Sequence, residues 1–272
     1  MQGAATALAP LAVIAESAMQ TAIGVLIALA VLGCIIYAMV LAAKQERERT
    51  EAMRAMAERL GFRFNAENDA LDNRFAHWDI FSRGHSRQVR NVLFGEIRVG
   101  GIQTGLCFGD YRFKETSGSG KNRRTVTYDL SFMVLMPRLQ TTETLTLRRE
   151  SFLDKLGEFV GLDDIDFESS EFSKRFHVRC SDRRFAFDLF DPRMIEYFLA
   201  TNPPTLDLRN SSLLAMRDMS RWTPEQFARE LKWLDGFMLR IPRHVRAARL
   251  PAEAHADDPV LNPSAADEEK TA

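Results

Sequence analysis

Residues 125–136 read TVTYDLSFMVLM, with apolar side chains at every second position. The alternating apolar residues are Val126, Tyr128, Leu130, Phe132, Val134 and Met136. Successive side chains of a strand point to opposite faces of its sheet, so this period of two predicts a β-strand with one face in the core. It is the clearest strand signal in the chain.

Strand patterns also precede this stretch. Residues 102–108 alternate in the same way, and residues 89–97 resemble an earlier strand that ends at the turn Gly100-Gly101. A glycine-rich loop at 117–122 joins the two clearest strands. Consecutive strands with short connections favour an antiparallel meander. We predict that residues 144–148 complete it.

Helix start and stop signals dominate the second part of the chain. Helices are predicted at 151–161, at 191–202 and at 223–240, each opened by a capping residue or proline. The last one carries a capping box, Thr223 with Gln226 three residues later. A short strand is predicted at 175–180.

A hairpin is predicted from residue 206 to residue 219, with its turn at Asn210-Ser211-Ser212. The pattern as a whole predicts an α+β domain in which helices pack on an antiparallel sheet. Because strands followed by a helix occur twice, the domain could contain two similar halves, residues 61–161 and 162–245.

An apolar segment precedes this domain. Residues 21–43 contain no charged side chain, and as a helix they would span about 35 Å, against about 30 Å for a bilayer's hydrocarbon core. Eleven of them are Leu, Ile or Val. The segment therefore predicts a transmembrane helix that contacts the lipid bilayer.

Basic residues predict the orientation of this helix. Lys44, Arg47, Arg49 and Arg54 follow it, whereas residues 1–20 contain no Lys or Arg. The positive-inside rule places residues 1–20 outside and the C-terminal domain in the cytoplasm. A cleaved signal peptide is the alternative, but the basic start typical of such peptides is missing.

The cytoplasmic chain divides further. Residues 44–60 predict a juxtamembrane helix that ends at Gly61, with Met53, Met56, Ala57 and Leu60 on one apolar stripe. The domain is assigned to 61–245. Residues 246–272 are predicted to form a disordered acidic tail, since residues 251–272 hold six acidic residues and one lysine.

Charge and cysteines exclude several classes of protein. Residues 44–250 hold 35 basic and 30 acidic side chains, a balance too weak for a nucleic-acid-binding domain. Cys34, Cys107 and Cys180 show no C-x-x-C spacing. They predict free thiols in a reducing compartment, with neither a disulfide framework nor a zinc site.

Two sequence stretches only partly match catalytic motifs. Residues 84–88, Gly-His-Ser-Arg-Gln, have Gln88 where the hydrolase elbow around a nucleophilic serine, here Ser86, needs glycine. The stretch 118–121 would be a P-loop only with glycine at Glu115 and Ser or Thr at Asn122. We therefore predict turns, without a catalytic or cofactor-binding residue.

Metal-binding patterns are incomplete as well. The acids between Asp163 and Glu168 lack the glycine and the final glutamate of a calcium loop. Histidines 77, 85, 177 and 244 show no H-x-x-x-H spacing. No metal site is predicted.

Five basic side chains are candidates for contact with an anionic surface. They are Lys121, Arg123, Arg124, Arg175 and Arg179. Lys121 lies in the glycine-rich loop and Arg123 and Arg124 follow it, and the last two candidates share one face of the predicted strand at 175–180. Arginine and lysine clusters of this kind attract anionic lipids.

Three stretches carry a resemblance to known sequences. They are residues 81–87 with Asn91, residues 121–126, and residues 164–168 with Phe172-Ser173. Together they resemble a set of uncharacterised bacterial single-pass membrane-anchored proteins, over roughly residues 45–240. The resemblance implies a bacterial inner-membrane protein with a cytosolic domain, and it transfers no activity or site residue.

Three functions fit these observations. The first is a membrane-tethered cytoplasmic interaction or scaffold domain with an unknown protein partner, because no polar residues converge on a recognisable site. The second is a domain that senses anionic lipid, and the third is an enzyme of unrecognised type. The sequence favours a protein without catalytic activity and leaves its oligomeric state open.

Overall fold

The computed structural model describes residues 5–67, 73–149, 163–255, 258 and 260–261. The chain divides into two compact units, residues 1–51 and 52–272. The predicted helix at 151–161 lies outside the described residues.

The first helix, α1, runs from Ala5 to Leu60. Its apolar side chains between Ile23 and Leu41 are exposed in the first unit. By length and composition, the part of α1 that starts at Ile23 contains a segment able to cross a membrane, although a signal sequence has the same properties. The helix stops before Gly61, whose φ of 67° suits the predicted helix end.

In the described residues of the second unit, eight antiparallel strands form one sheet. They are β1 (Arg63–Glu67), β2 (His85–Val99), β3 (Ile102–Ser117), β4 (Arg124–Pro137), β5 (Leu145–Arg149), β6 (Phe176–Cys180), β7 (Thr205–Arg209) and β8 (Ser212–Met216). Their order is β1-β2-β3-β4-β8-β7-β5-β6. The predicted α+β class is confirmed.

Six further helices accompany the sheet in the described residues. They are α2 (Asp79–Ser82), α3 (Ser170–Arg175), α4 (Arg183–Leu189), α5 (Pro192–Ala200), α6 (Pro224–Arg240) and α7 (Arg243–Arg249). The predicted starts of α5 and α6 are confirmed: Asp191 caps Met194 N at 2.9 Å, and Thr223 and Gln226 form the capping box.

The predicted meander is right for its first strands and wrong for its last. β1 to β4 are sequential neighbours, but β4 pairs with β8, through Met133 opposite Ala215. β5 lies between β7 and β6 instead. Residues 213–216 of β8 are buried at every position, so this strand belongs in the middle of the sheet, covered on both faces.

The hairpin of β7 and β8 confirms the predicted turn. Asn210 and Ser211 have φ values of 50° and 59°, as a two-residue hairpin turn requires. The predicted halves contain different strand arrangements, because residues 61–161 hold the sequential strands and 162–245 hold β6 and this hairpin.

Both faces of the sheet are covered by apolar side chains. On one face, Phe108 and Leu135 belong to a core cluster with Phe227 and Leu234 of α6. Three residues of the predicted stripe on α1 join this cluster, Met53, Met56 and Ala57, whereas Leu60 remains exposed. On the other face, Trp78 and Phe81 belong to a cluster with strand residues such as Tyr111 and Phe132.

The folded part of the chain extends beyond residue 245, so the predicted start of a disordered tail at residue 246 is too early. Val245 and Leu250 of the α7 region are buried in the core. Arg246 is fully buried and donates to Met238 O at 2.6 Å, to Gly100 O at 2.7 Å and to Asp258 Oδ2 at 2.6 Å. The acidic residues 267–269 lie outside the described residues.

Candidate functional site

The stretch at 84–88 does not form a hydrolase elbow. Ser86 Oγ lies 3.1 Å from His85 Nδ1, and the other ring nitrogen of His85 lies 3.0 Å from Thr116 Oγ1. Ser86 is at the start of β2, where an elbow would need a turn into a helix. The histidine is held by a hydroxyl group in the place where a triad has a carboxylate.

The glycine-rich loop is the tip of the hairpin formed by β3 and β4. A single turn of 3₁₀ helix, Gly120–Asn122, reverses the chain there. Lys121, Arg123 and Arg124 are all exposed at this tip. The structure therefore brings three of the five candidate cations together, with no ion pair to another described residue.

The other two candidate cations lie at the β6 edge of the sheet. The prediction that both share one face of a strand is wrong, because Arg175 is the last residue of α3 and only Arg179 lies on β6. Four strand steps separate β4 from β6, which is about 19 Å at the usual strand spacing. Arg179 donates to Asp164 at 2.7 Å, and Arg175 pairs with Glu171 at 3.4 Å. Acidic partners thus neutralise much of the predicted basic stripe.

Asp164 is the acidic partner of two residues on β6. Burial alone would raise the pKa of its carboxyl, but hydrogen bonds from Arg179 and His177 outweigh burial and lower this pKa. The contact with His177 Nδ1 measures 3.2 Å. The Asp164 carboxylate is therefore paired with Arg179 and His177 at the edge of the sheet.

The described residues contain no cluster of potential metal ligands, and two of the three cysteines are buried. In the described part of the chain, no group of three or more His, Cys, Asp or Glu could hold a metal ion. Cys107 and Cys180 are buried, and burial raises the pKa of both thiols. Cys34 is exposed on α1.

An open groove between α5 and the end of α6 collects basic side chains. Its volume is about 750 Å³. We call it the arginine groove; the described residues that line it are Arg193, Glu196, Tyr197, Ala200, Leu239, Arg240, Ile241, Arg243 and Val260. Three of these residues are basic, and Glu196 is the acidic one.

Local sequence signals position the three arginines. Arg193 lies in the first turn of α5, directly after the Asp191-Pro192 start. Pro242 cannot continue the hydrogen bonding of α6, so the chain turns there and starts α7. Arg240 and Arg243 lie on either side of this break and line the same groove.

Tyr197 forms a rigid wall of the arginine groove. Its hydroxyl donates to Trp233 O at 2.8 Å, and the guanidinium carbon of Arg240 lies 4.1 Å from its ring centroid. A Cβ at Gly236 would come within 2.5 Å of Tyr197 Oη, so this helical glycine makes room for the ring. Burial raises the pKa of Tyr197, and the charge of Arg240 opposes that rise.

A second groove, of about 840 Å³, is also lined by Tyr197. Its lining includes Trp222, Trp233 and the ion pair of Arg217 with the buried Glu230. Arg217 Nη2 donates to Glu230 Oε2 at 2.9 Å and to Asn202 O at 2.6 Å. These bonds hold α6 in place, so Arg217 and Glu230 contribute to the stability of the fold and are less available for a ligand than the arginines of the arginine groove.

A small apolar cavity lies between the sheet and helices α4, α6 and α7. It measures about 50 Å³ and is lined by residues such as Leu145, Leu189 and Ile241. Ligand pockets usually measure about 300 to 1,000 Å³. The cavity is therefore too small for a lipid chain or a cofactor as it stands.

Comparisons with known proteins add a likeness in fold. No protein-family model matches the chain, and no curated protein matches it. Among solved structures, the chain is similar to the crystal structure of the mycobacterial trehalose monomycolate transport factor A, TtfA. The TM-score is 0.50 at 15% sequence identity, and the match covers 75% of this chain and 99% of that chain.

The likeness to TtfA shows the fold alone, because the two sequences are so different. Fold similarity at this level transfers no site residue. The likeness to TtfA therefore says nothing about the arginine groove, which is described from the structure of this chain.

The sequence predictions missed the arginine groove. Its arginines come from separate elements, α5, α6 and α7, so no local motif joins them. A weak signal was present in Arg240 and Arg243, which flank Ile241-Pro242 at the end of a strongly predicted helix. Only the packing of α5 against α6 adds Arg193 and Tyr197.

Proposed function

We propose that this chain is a membrane-tethered interaction domain whose arginine groove binds an acidic segment of a protein partner. The observation that carries the proposal is the set of three arginines around the fixed ring of Tyr197. The volume of the groove, about 750 Å³, lies in the range of sites that bind ligands.

The composition of the groove supports a protein as the ligand. Arginine, tyrosine and tryptophan are the residues most enriched at energetic hot spots of protein interfaces. Leu239 adds exposed apolar surface, with 42% of its area accessible, beside the charged side chains. An apolar centre with a charged rim is typical of interfaces, and the excess of arginine favours acidic partners.

The tether and its orientation complete the proposal. Residues 21–43 would cross a bacterial inner membrane, and the basic flank from Lys44 to Arg54 would keep the domain on its cytoplasmic side. TtfA is described as a transport factor, and this description suits a role without catalysis. Reporter proteins fused to either terminus test the orientation: a cytoplasmic signal at the N-terminus would contradict it.

Site-specific photo-crosslinking in intact cells tests the groove. A photoreactive amino acid at Leu239 should capture a partner protein. The same amino acid at Phe187 on α4, an apolar side chain of similar exposure at 45%, is the matched control. Combined Arg240→Glu and Arg243→Glu changes should abolish the adduct at position 239. An adduct that survives this charge reversal, or that forms equally at position 187, would contradict the proposal.

A second candidate function is contact with anionic lipid through the hairpin tip. It is favoured by the three exposed cations there, Lys121, Arg123 and Arg124. An environment-sensitive dye at Asn122→Cys, in a Cys34→Ser background, can report the contact. In reconstituted vesicles at low salt, its emission should shift only when anionic lipid is present, and neutralising the three cations should remove the shift. No shift in anionic vesicles would eliminate this candidate.

A further inference from the structure

We propose that the acidic segment Asp267–Glu269 of this same chain occupies the arginine groove and competes there with the partner. This inference rests on the proposed function of the groove as a site for acidic segments. It names an occupant that is present in every copy of the protein.

The buried residue Asp258 fixes the position of the chain shortly before the acidic segment. Asp258 is 1% exposed and pairs with the fully buried Arg246 at 2.6 Å. Its Oδ1 also accepts hydrogen bonds from Val260 N at 2.9 Å and from Leu261 N at 3.0 Å. Val260 lines the groove, and Leu261 O accepts from Arg243 Nη2 at 2.9 Å. Residue 261 is therefore fixed at the groove.

The acidic segment lies within reach of this fixed point. Asp267 follows Leu261 by six positions, and the intervening residues 262–266 are Asn-Pro-Ser-Ala-Ala. Six residues span at most about 20 Å when fully extended. Because Leu261 already contacts Arg243 of the groove, the required distance is below this limit.

The charges of segment and groove are complementary. Asp267, Glu268 and Glu269 carry three negative charges, and Arg193, Arg240 and Arg243 carry three positive charges beside the single Glu196. All three arginines are exposed, and their protein contacts leave donors available, since each guanidinium has five N–H groups. These contacts run to the Asp191 carboxylate for Arg193, to Gly236 O for Arg240 and to Leu261 O for Arg243.

Tethering makes even a weak contact effective. A tether of a few residues gives an effective concentration on the order of millimolar, so individually weak ion pairs suffice to fill the groove part of the time. A partner must then displace the tail, and its apparent affinity falls accordingly. The tail thereby sets a threshold for binding.

Zero-length crosslinking of the purified full chain in detergent tests the contact. With Arg240→Lys, a carbodiimide should couple the new amine to a carboxylate of residues 267–269. Arg229→Lys is the matched control, because Arg229 is exposed on the same helix but does not line the arginine groove. Equal coupling at both positions, or coupling at neither, would overturn the inference.

Mixing ¹⁵N-labelled and unlabelled chains separates contacts within one chain from contacts between two copies. The expected crosslinked peptides carry one label state only. Mixed-label peptides as the main product would show that the tail reaches a second copy, and this result would also overturn the inference.

A binding measurement separates failure of this inference from failure of the proposed function. The probe is a synthetic peptide with the sequence of residues 262–272. It should bind the tail variant Asp267→Asn, Glu268→Gln, Glu269→Gln about two- to tenfold more tightly than the unchanged chain. Further Arg240→Gln and Arg243→Gln changes should remove this binding.

Two other outcomes are decisive. Equal, arginine-dependent binding to both proteins would leave the groove as an acid-binding site and overturn only the occupancy by the tail. No binding to either protein would overturn the acid-binding function and the inference together.

Discussion

Arg243 and Arg246 lie three positions apart on α7 and differ in almost every physical respect. Arg246 is fully buried, and its described bonds run to Asp258, Met238 O and Gly100 O. Arg243 is exposed beside the arginine groove and donates to Leu261 O. The comparison teaches that burial and partners, rather than residue type, separate an arginine that holds the fold from one available for recognition.

Replacing Arg246 should have the largest effect on stability. Arg246→Met leaves Asp258 as a buried charge without its partner and removes the donor from two carbonyl oxygens. Breaking a buried pair in this way costs about 3 to 5 kcal/mol of unfolding free energy. Denaturant unfolding of the full chain, followed by tryptophan fluorescence, measures the loss.

The matched control is Arg243→Met, which should change the unfolding free energy by less than about 0.5 kcal/mol. Similar losses for both variants would remove the distinction between the two arginines. The double change Arg246→Met with Asp258→Leu should recover much of the loss, because no uncompensated charge remains.

An intermediate effect is expected at the pair of Glu143 and Arg249, whose side chains are 11% and 23% exposed. The hydrogen bond from Arg249 Nη1, 2.6 Å long, lowers the pKa of Glu143. A carboxyl with a lowered pKa in the folded state stabilises the protein above its unfolded pKa of about 4.3. This stabilisation is lost as the pH falls from there through the folded-state pKa.

Glu143→Gln should therefore cost about 1 kcal/mol at pH 7, and the difference from the unchanged protein should shrink below about pH 4. Unfolding curves at several pH values measure it. Glu253→Gln, at an exposed acid four positions after Arg249, is the control for loss of a surface charge and should change the unfolding free energy by less than about 0.5 kcal/mol. A constant difference at all pH values would show that charge is not the cause.

A small net change in stability is expected for Gly236→Ala, at the wall of the groove. Helix propensity favours alanine by about 1 kcal/mol, but the new methyl group displaces Tyr197 Oη and its bond to Trp233 O. The two effects should offset to within about 1 kcal/mol, while partner crosslinking at position 239 falls. Ala228→Gly, at an exposed site of the same helix, measures propensity alone. Unchanged crosslinking would show that the position of Tyr197 is unimportant for binding.

The predictable parts of this fold are those with local causes. The capping box at Thr223, the positive φ turn at Asn210-Ser211 and the extended conformation of β4 each depend on residues close in sequence. Their chemistry acts within a few residues, so the sequence alone contains the information. The prediction of a single buried face on β4 is wrong, because residues 130–135 are buried on both faces.

The parts that escaped prediction depend on distant residues. β5 lies between β6 and β7, whose residues follow it in sequence by about 30 to 60 positions, so no local pattern contains this pairing. In the sequence, Arg246 is one of several basic residues before an acidic segment. Its role in the core is visible only from its bonds to Gly100 and Asp258. The pairing of Arg179 with Asp164 and the assembly of the arginine groove arise in the same way.

The bonds of Arg246 also have a consequence for the order of folding. They connect the β2–β3 turn at Gly100, the end of α6 at Met238 and the chain at Asp258. The turn itself can form early from neighbouring residues, but its bond to Arg246 closes a loop of 146 residues. Contacts of such long separation form late because closing their loops costs entropy. During synthesis, the sheet can therefore assemble first, and the three contacts of Arg246 form last.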